Sequence, residues 1–288
     1  MKHSLLKVSQ LHPCFGGEAH NKFGRLHLPV SPACNIQCRF CNRSINEKEN
    51  RPGVTAGVLR PDQAAATVKK ALSLCPEITV VGIAGPGDTL ATDAAIEAFR
   101  AVHEAYPHLI KCLSTNGLLL PDRAEELIGV GVKTVTVTVN AVDPFILDKV
   151  VSYIVFKGRK ITGPAMGDIL TARQLEGIRK ASDLGATVKV NTVLVPGIND
   201  GHIGDIAKAV SEAGAHVYNI IPLIPQHELS HIEEPDCDML QKAREDGERY
   251  LEVFRHCKHC RADACGIPGL SDFSRELYGG QMETFSHG

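Results

Sequence analysis

The sequence has no long apolar run, no lopsided charge and no secretory signal, and each absence removes a class of protein. No stretch of about eighteen residues is apolar enough to cross a bilayer. The opening MKHSLLKVSQLHPCFGG lacks the apolar h-region of a signal peptide. With 31 basic residues against 33 acidic ones, the net charge of -2 leaves no basic excess for nucleic acid. No internal repeat, low-complexity segment or interdomain linker appears, so residues 1–288 read as a single domain. Cysteine, by contrast, is plentiful. Ten cysteines without a secretory signal argue against a disulfide framework, because the cytoplasm, where this chain is expected to reside, keeps thiols reduced. They are buried fillers, metal ligands or nucleophiles, and their clustering decides which.

Apolar runs alternate with amphipathic stretches along most of the chain. The pattern predicts strands over 26–30, 78–83, 109–113, 133–139, 187–194 and 216–221. Helices are expected over 61–74, 92–105, 121–129, 171–184, 203–213 and 238–255. Pro61 sits early in its helix, Thr171 is placed to cap one, and Gly185 and Gly214 stand where helices end. Repeated strand–helix alternation implies parallel strands joined by right-handed crossovers. The fold class is therefore α/β, a partial (β/α)6 TIM-like barrel over 26–255, with an open doubly wound sheet as the alternative. Residues 1–25 and 256–288 read as N- and C-terminal arms, and 150–169 as a long loop or lid.

Directly after the first strand comes SPACNIQCRFC, which places Cys34, Cys38 and Cys41 in one short loop. Three thiolates this close can hold one corner of a cubane 4Fe–4S cluster, which usually takes four, and so leave one iron open. Zinc and unligated thiols are the alternatives; zinc would need a further ligand pair, which the tail could supply. The spacing, with the aromatic Phe40 before the last cysteine, resembles the signature of the radical S-adenosylmethionine (SAM) superfamily. That resemblance implies a SAM-binding 4Fe–4S cluster whose open iron chelates SAM, and reductive cleavage of SAM to a 5′-deoxyadenosyl radical.

In a parallel barrel, ligand-binding groups gather at the carboxyl ends of the strands. Here those ends carry Gly85, Gly87 and Asp88 in GIAGPGD, then Asn116, Asn140 and Asn191. Each alone is weak evidence, since such loops are often rich in Gly and Asn for turn reasons. By resemblance, Gly85 to Asp88 matches the glycine-rich segment that meets the SAM amino group, and the three asparagines are candidates for the rest of the cofactor.

The tail carries a second metal-like group, Cys257-x2-Cys260 with Cys265 as a further candidate. Near the N-terminus stand Cys14 and His27. Taken singly, His27 in a strand reads as a core histidine, Cys112 as a small filler, and Cys75 and Cys237 as structural.

Taken together, HPCF…AHNKFGRLHLPVSPACNIQCRFCNRSIN, GPGD and CKHCRADACG closely resemble the NifB family, over essentially the whole chain. The resemblance implies an enzyme that assembles the iron–sulfur core of the nitrogenase cofactor. One SAM would donate a methyl group to a sulfide of a precursor cluster. The radical from a second would abstract hydrogen from that carbon, which becomes a central carbide as two 4Fe–4S substrate clusters fuse. Cys14, His27 and Cys112 match positions that hold one substrate cluster, and Cys257 and Cys260 match ligands of the other. Cys265 departs from the pattern, where an apolar residue is expected. The C-terminal carrier domain found in many members is not expected here. Implied partners are iron–sulfur cluster donors, cofactor carrier or scaffold proteins and an electron donor such as ferredoxin. Glu18 and Asp88 are candidate acid/base groups for the methylated sulfide. The rivals are a radical SAM enzyme with auxiliary clusters acting on a peptide or small molecule, and a non-catalytic iron–sulfur carrier.

Overall fold

A computed structural model describes residues 8–257 and 260–279; Lys258, His259 and residues 280–288 of the expected C-terminal arm lie outside the described residues. Its centre is an eight-stranded sheet built from β1 (Gly24–His27), β2 (Ile78–Ile83), β3 (Ile110–Thr115), β4 (Val132–Thr138), β5 (Thr187–Leu194), β6 (Val217–Pro222), β7 (Glu252–Val253) and β8 (Cys265–Gly266). The spatial order is β7-β6-β5-β4-β3-β2-β1-β8. Strands β1 to β7 are parallel and consecutive, whereas β8 returns antiparallel to β1. Among the described residues β7 and β8 are not hydrogen-bonded to each other, so the sheet is open at those edges.

Crossovers run through α1 (Ala64–Leu74), α2 (Ala94–Ala105), α3 (Leu120–Gly129), α4 (Gly163–Asp183), α5 (Ile203–Glu212) and α6 (Cys237–Glu248). The strands alternate in the period that a half-covered sheet requires. Leu26, Val81, Leu113, Val135, Val188 and Ile220 turn into one apolar core shared with the helices. Their neighbours, among them Arg25, Gly82, Cys112, Thr136, Lys189 and Asn219, turn to the other face and line a cavity. Gly185 and Gly214 close α4 and α5 with φ of 88° and 99°, the left-handed conformation that spares glycine a Cβ clash. No helix of the described residues is long and apolar enough to cross a membrane.

Three places differ from the sequence expectation. Residues 150–169 are not a loop. Val151–Phe156 and Arg159–Ile161 form a hairpin, turning through Lys157 and Gly158, both with positive φ. The run VSYIVF is β-branched and aromatic, which suits a strand. The helix expected from 171 starts at Gly163, with Pro near its first position, because Met166 and Leu170 continue its buried stripe. The last helix stops at Glu248 rather than running to 255, and β7 follows as a seventh parallel strand.

Candidate active site

The sheet's polar face and the βα loops enclose a cavity of about 370 Å³. Cys34, Cys38 and Cys41 line one end of it, and each is a free thiol. Their loop is held by backbone pairing rather than by helix or sheet core. Ile36–Cys38 pairs antiparallel with the 151–156 strand, Cys41 N–H donates to the Cys38 carbonyl at 3.0 Å, and Gln37 Nε2 donates to the Cys38 and Cys41 carbonyls at 3.0 Å each. The hairpin thus carries the cysteine loop. Burial raises all three thiol pKa values; for Cys38 the neighbouring Cys41 and Cys34 add to it, while Arg43 opposes the rise at each cysteine.

The glycine-rich segment after β2 is stitched to the same loop. Gly87 N–H donates to the Ser31 carbonyl at 2.6 Å and Asp88 N–H to the Ala33 carbonyl at 2.8 Å. A Cβ on Gly87 would lie 2.0 Å from the Ala33 oxygen, so no larger residue permits this approach. Gly85 has φ of 127° and precedes a cis proline; it shapes the turn but does not line the cavity. Asp88 is buried, and its carboxylate accepts from Thr115 Oγ1, Asn116 N–H and Leu90 N–H. Burial raises its pKa, and those hydrogen bonds oppose the rise. Asp88 is thereby a brace between β2 and β3. Asn116, Asn140 and Asn191 also line the cavity, each with a side-chain hydrogen bond to a neighbour: Asn35, Val193 N–H and Asn219. Phe40 packs beside Val195, Leu223 and Leu229 at the rim.

A second set gathers around Lys189 and Arg25. Cys14, His27, Cys112, Cys257 and Cys260 all line the same cavity, although they come from both ends of the chain and two strands. Cys14 and Cys112 pack against Phe15 and Phe254. Burial pushes the Cys14 thiol up to about 12, with Lys189 and Arg25 opposing and Cys260 and Cys112 close enough to add to it. His27 Nδ1 lies 2.9 Å from the Arg261 carbonyl, which can only accept, so Nδ1 carries the proton and Nε2 keeps its lone pair. Burial, then Arg25, lowers the His27 pKa to about 4, so the ring is neutral.

Cys265 is elsewhere. It is buried in the apolar core on β8, where burial and then Cys75 push its thiol up to about 12, and it does not line the cavity. Glu18 is exposed and also lies outside the lining. Cys75 is buried and Cys237 exposed.

Among the described residues no three His, Cys, Asp or Glu side chains converge as ligands of a single ion. A cubane takes one thiolate per iron, so the three free thiols of one short loop are the donor set for a cluster with one iron left open. The free thiols therefore fit the cluster that the spacing suggests.

Sequence reasoning missed Lys189, Arg25 and His12, all buried and all lining the cavity. The period-2 signal was present for the strand residues: Lys189 and Asn191 alternate with Val188 and Val190, as Arg25 and His27 do with Leu26 and Leu28.

A family model described as the Radical SAM superfamily matches residues 28–210, and the chain belongs to that superfamily. Solved structures of like fold include Streptococcus suis SuiB bound to S-adenosylmethionine, with TM-score 0.59 and 14% identity over 99% of this chain and 66% of that one. A radical SAM methyltransferase from Sphaerobacter thermophilus gives 0.53 and 17% over 81% and 64%. At such identities the likeness speaks for the fold alone. The FeMo cofactor biosynthesis protein NifB of Methanocaldococcus jannaschii is 47% identical over 290 residues, covering 97% of this chain and 96% of its own length. That of Methanocaldococcus infernus is 45% identical over 269 residues, covering 93% and 89%. Within the superfamily, the chain belongs to the NifB family.

Proposed function

We propose that the chain is a radical SAM enzyme of nitrogenase-cofactor biosynthesis that methylates and fuses two 4Fe–4S precursor clusters into a carbide-containing iron–sulfur core. One observation carries the reading: Cys14, His27, Cys112, Cys257 and Cys260 open onto the same cavity as Cys34, Cys38 and Cys41. A radical SAM enzyme with auxiliary clusters acting on an organic substrate would also carry further ligands, and product analysis separates the two readings. Identity to the Methanocaldococcus proteins over nearly the whole chain supports the first.

Bound by Cys34, Cys38 and Cys41, the resident cluster would leave one iron to SAM and supply the electron for its reductive cleavage. The chain's residues do the positioning. Asp88 ties β2 to β3 through Thr115 and Asn116, which keeps the wall beside the cysteine loop in register. His27 offers Nε2 while the Arg261 carbonyl holds its ring. The strand faces and the 151–161 hairpin enclose the reacting groups and limit water. Precursor clusters are substrates and must leave, so mixed His/Cys ligation with few donors suits them better than a full set of thiolates. The reading also calls for cluster donors, a carrier or scaffold protein and a one-electron donor.

The test is anaerobic product analysis of cluster-loaded, reduced protein given SAM. Formation of both S-adenosylhomocysteine and 5′-deoxyadenosine is expected. If 5′-deoxyadenosine alone formed, carbide synthesis would be abandoned in favour of an organic substrate.

A further inference from the structure

The cavity is electrically one-sided. Among the described residues four Lys and Arg side chains line it, Arg25, Arg43, Arg51 and Lys189, against a single carboxylate, Asp88. Arg51 is paired with Glu49, and Asp88 braces the end that carries the cysteine triplet. Lys189 and Arg25 belong to the other end.

Lys189 is 6% exposed. Its ammonium donates to the Cys14 carbonyl at 3.0 Å and lies over the rings of Phe15 and Phe254, 4.8 and 5.4 Å from their centroids. Arg25 is 8% exposed. It donates to the Gly266 carbonyl at 2.7 Å and to Cys260 Sγ at 3.0 Å, and its buried Nε has no partner among the described residues. Among the described residues neither side chain forms an ion pair with a carboxylate. The other deeply buried lysine, Lys111, is different: it ends on two carbonyls, those of Tyr106 and Pro107, and does not line the cavity. Buried cations are ordinarily paired, because a lone charge in a low-dielectric interior is costly. Ring faces soften that cost and do not cancel it.

A third group faces the same way. His12 accepts from Cys14 N–H at Nδ1, so its neutral ring carries the proton on Nε2, which is buried without a partner among the described residues. Two unpaired cations and an orphan N–H donor therefore surround Cys14, Cys112 and Cys260. Together they describe a receptor for an anion that accepts hydrogen bonds through many atoms. A sulfide-bridged cluster carrying several thiolates has that chemistry.

We propose that Lys189 and Arg25 are positioning residues that supply the counter-charge for the anionic iron–sulfur clusters of this site, Lys189 beside Cys14 and Cys112 and Arg25 beside Cys260, with His12 donating to a cluster sulfide. The inference rests on the reading of this end as a substrate-cluster site. Its consequence is electrostatic selection. The site prefers the more reduced, more negative state of its guest, and retention depends on the charge at 189 rather than on the thiols alone.

The test uses the full chain with Cys34, Cys38 and Cys41 all changed to alanine, so that only clusters at the rear site are counted. After anaerobic reconstitution with iron(II) and sulfide, iron is quantified and the midpoint potential is measured by an EPR-monitored titration. Lys189→Met is expected to lose at least half of the rear-site iron. What remains should titrate at a more negative potential, by ~59 mV for each tenfold loss of preference for the reduced state. Lys189→Arg should restore both. Should Lys189→Met fail to fold, Lys189→Gln carries the same expectations. Unchanged iron and potential on loss of the charge, or equal losses in the methionine and arginine variants, would overturn the inference and leave the reading intact. If the triple-alanine parent itself held no cluster, the reading would fall and the inference with it.

Discussion

Gly82 stands opposite His27 across the β1–β2 ladder, and a Cβ on it would lie 2.9 Å from the imidazole Cδ2. The glycine is the seat of the ring. Without a side chain there, His27 can lie flat across β2 with Nδ1 on the Arg261 carbonyl and Nε2 toward the cavity. Gly82→Val should displace the ring and reduce iron bound at the rear site, while iron at Cys34, Cys38 and Cys41 stays unchanged. Iron counts in the cysteine-intact and triple-alanine backgrounds separate the two; equal losses at both sites would refute a local effect.

Gly87 is a second contact point, between the glycine-rich segment and the cysteine loop. Gly87→Ala forces a methyl group against the Ala33 carbonyl, at a cost of about 1–3 kcal/mol or a shift of the loop. Thermal unfolding should show the loss, and SAM affinity measured calorimetrically should fall with it. A variant with parental stability and affinity would mean that the loop relaxes freely.

The neutral His27 gives the cluster-free protein a pH signature. Burial, and next Arg25, hold its pKa at about 4 against 6.5 in the unfolded chain. Between those values the unfolded chain binds more protons, so stability falls as pH drops through that window and is flat above it. The His27 share is up to about 3 kcal/mol. Denaturant unfolding from pH 7.5 to 4.5 should show a shallower decline for His27→Gln than for the parent; parallel curves would rule the contribution out.

Cys265 offers a negative control. It is 1% exposed, sits in the apolar core and lies outside the cavity lining. Cys265→Ala should keep the full iron content and lose about 1 kcal/mol by leaving a small void. Loss of iron in that variant would restore Cys265 as a ligand.

Much of this was legible along the chain because the signals were local. Strands 78–83 and 187–194 end where expected, since apolar alternation and flanking glycines act over a few residues. The grouping of the cysteine triplet was legible because its three thiols share one loop. The 151–161 hairpin was not, because its partner strand, Ile36–Cys38, lies more than a hundred residues away and only three residues of it pair. Lys189 and Arg25 were hidden for another reason. A lysine or arginine in a strand reads as a solvated face until the fold shows it turned inward, over Phe254 and onto Cys260. His27 was ambiguous for the same cause, its role set by a carbonyl from the far end of the chain.

The antiparallel seam between β8 and β1 fixes the order in which the cavity can be finished. Arg25 and Gly266 are bonded across 241 residues of sequence, a closure that comes after the intervening strands and helices have folded. The cysteine loop, by contrast, has its partner strand as soon as the chain has reached the 151–156 strand, well before Gly266. On the ribosome, the cysteine loop can therefore be seated before the seam that brings Arg25 to Gly266 has formed.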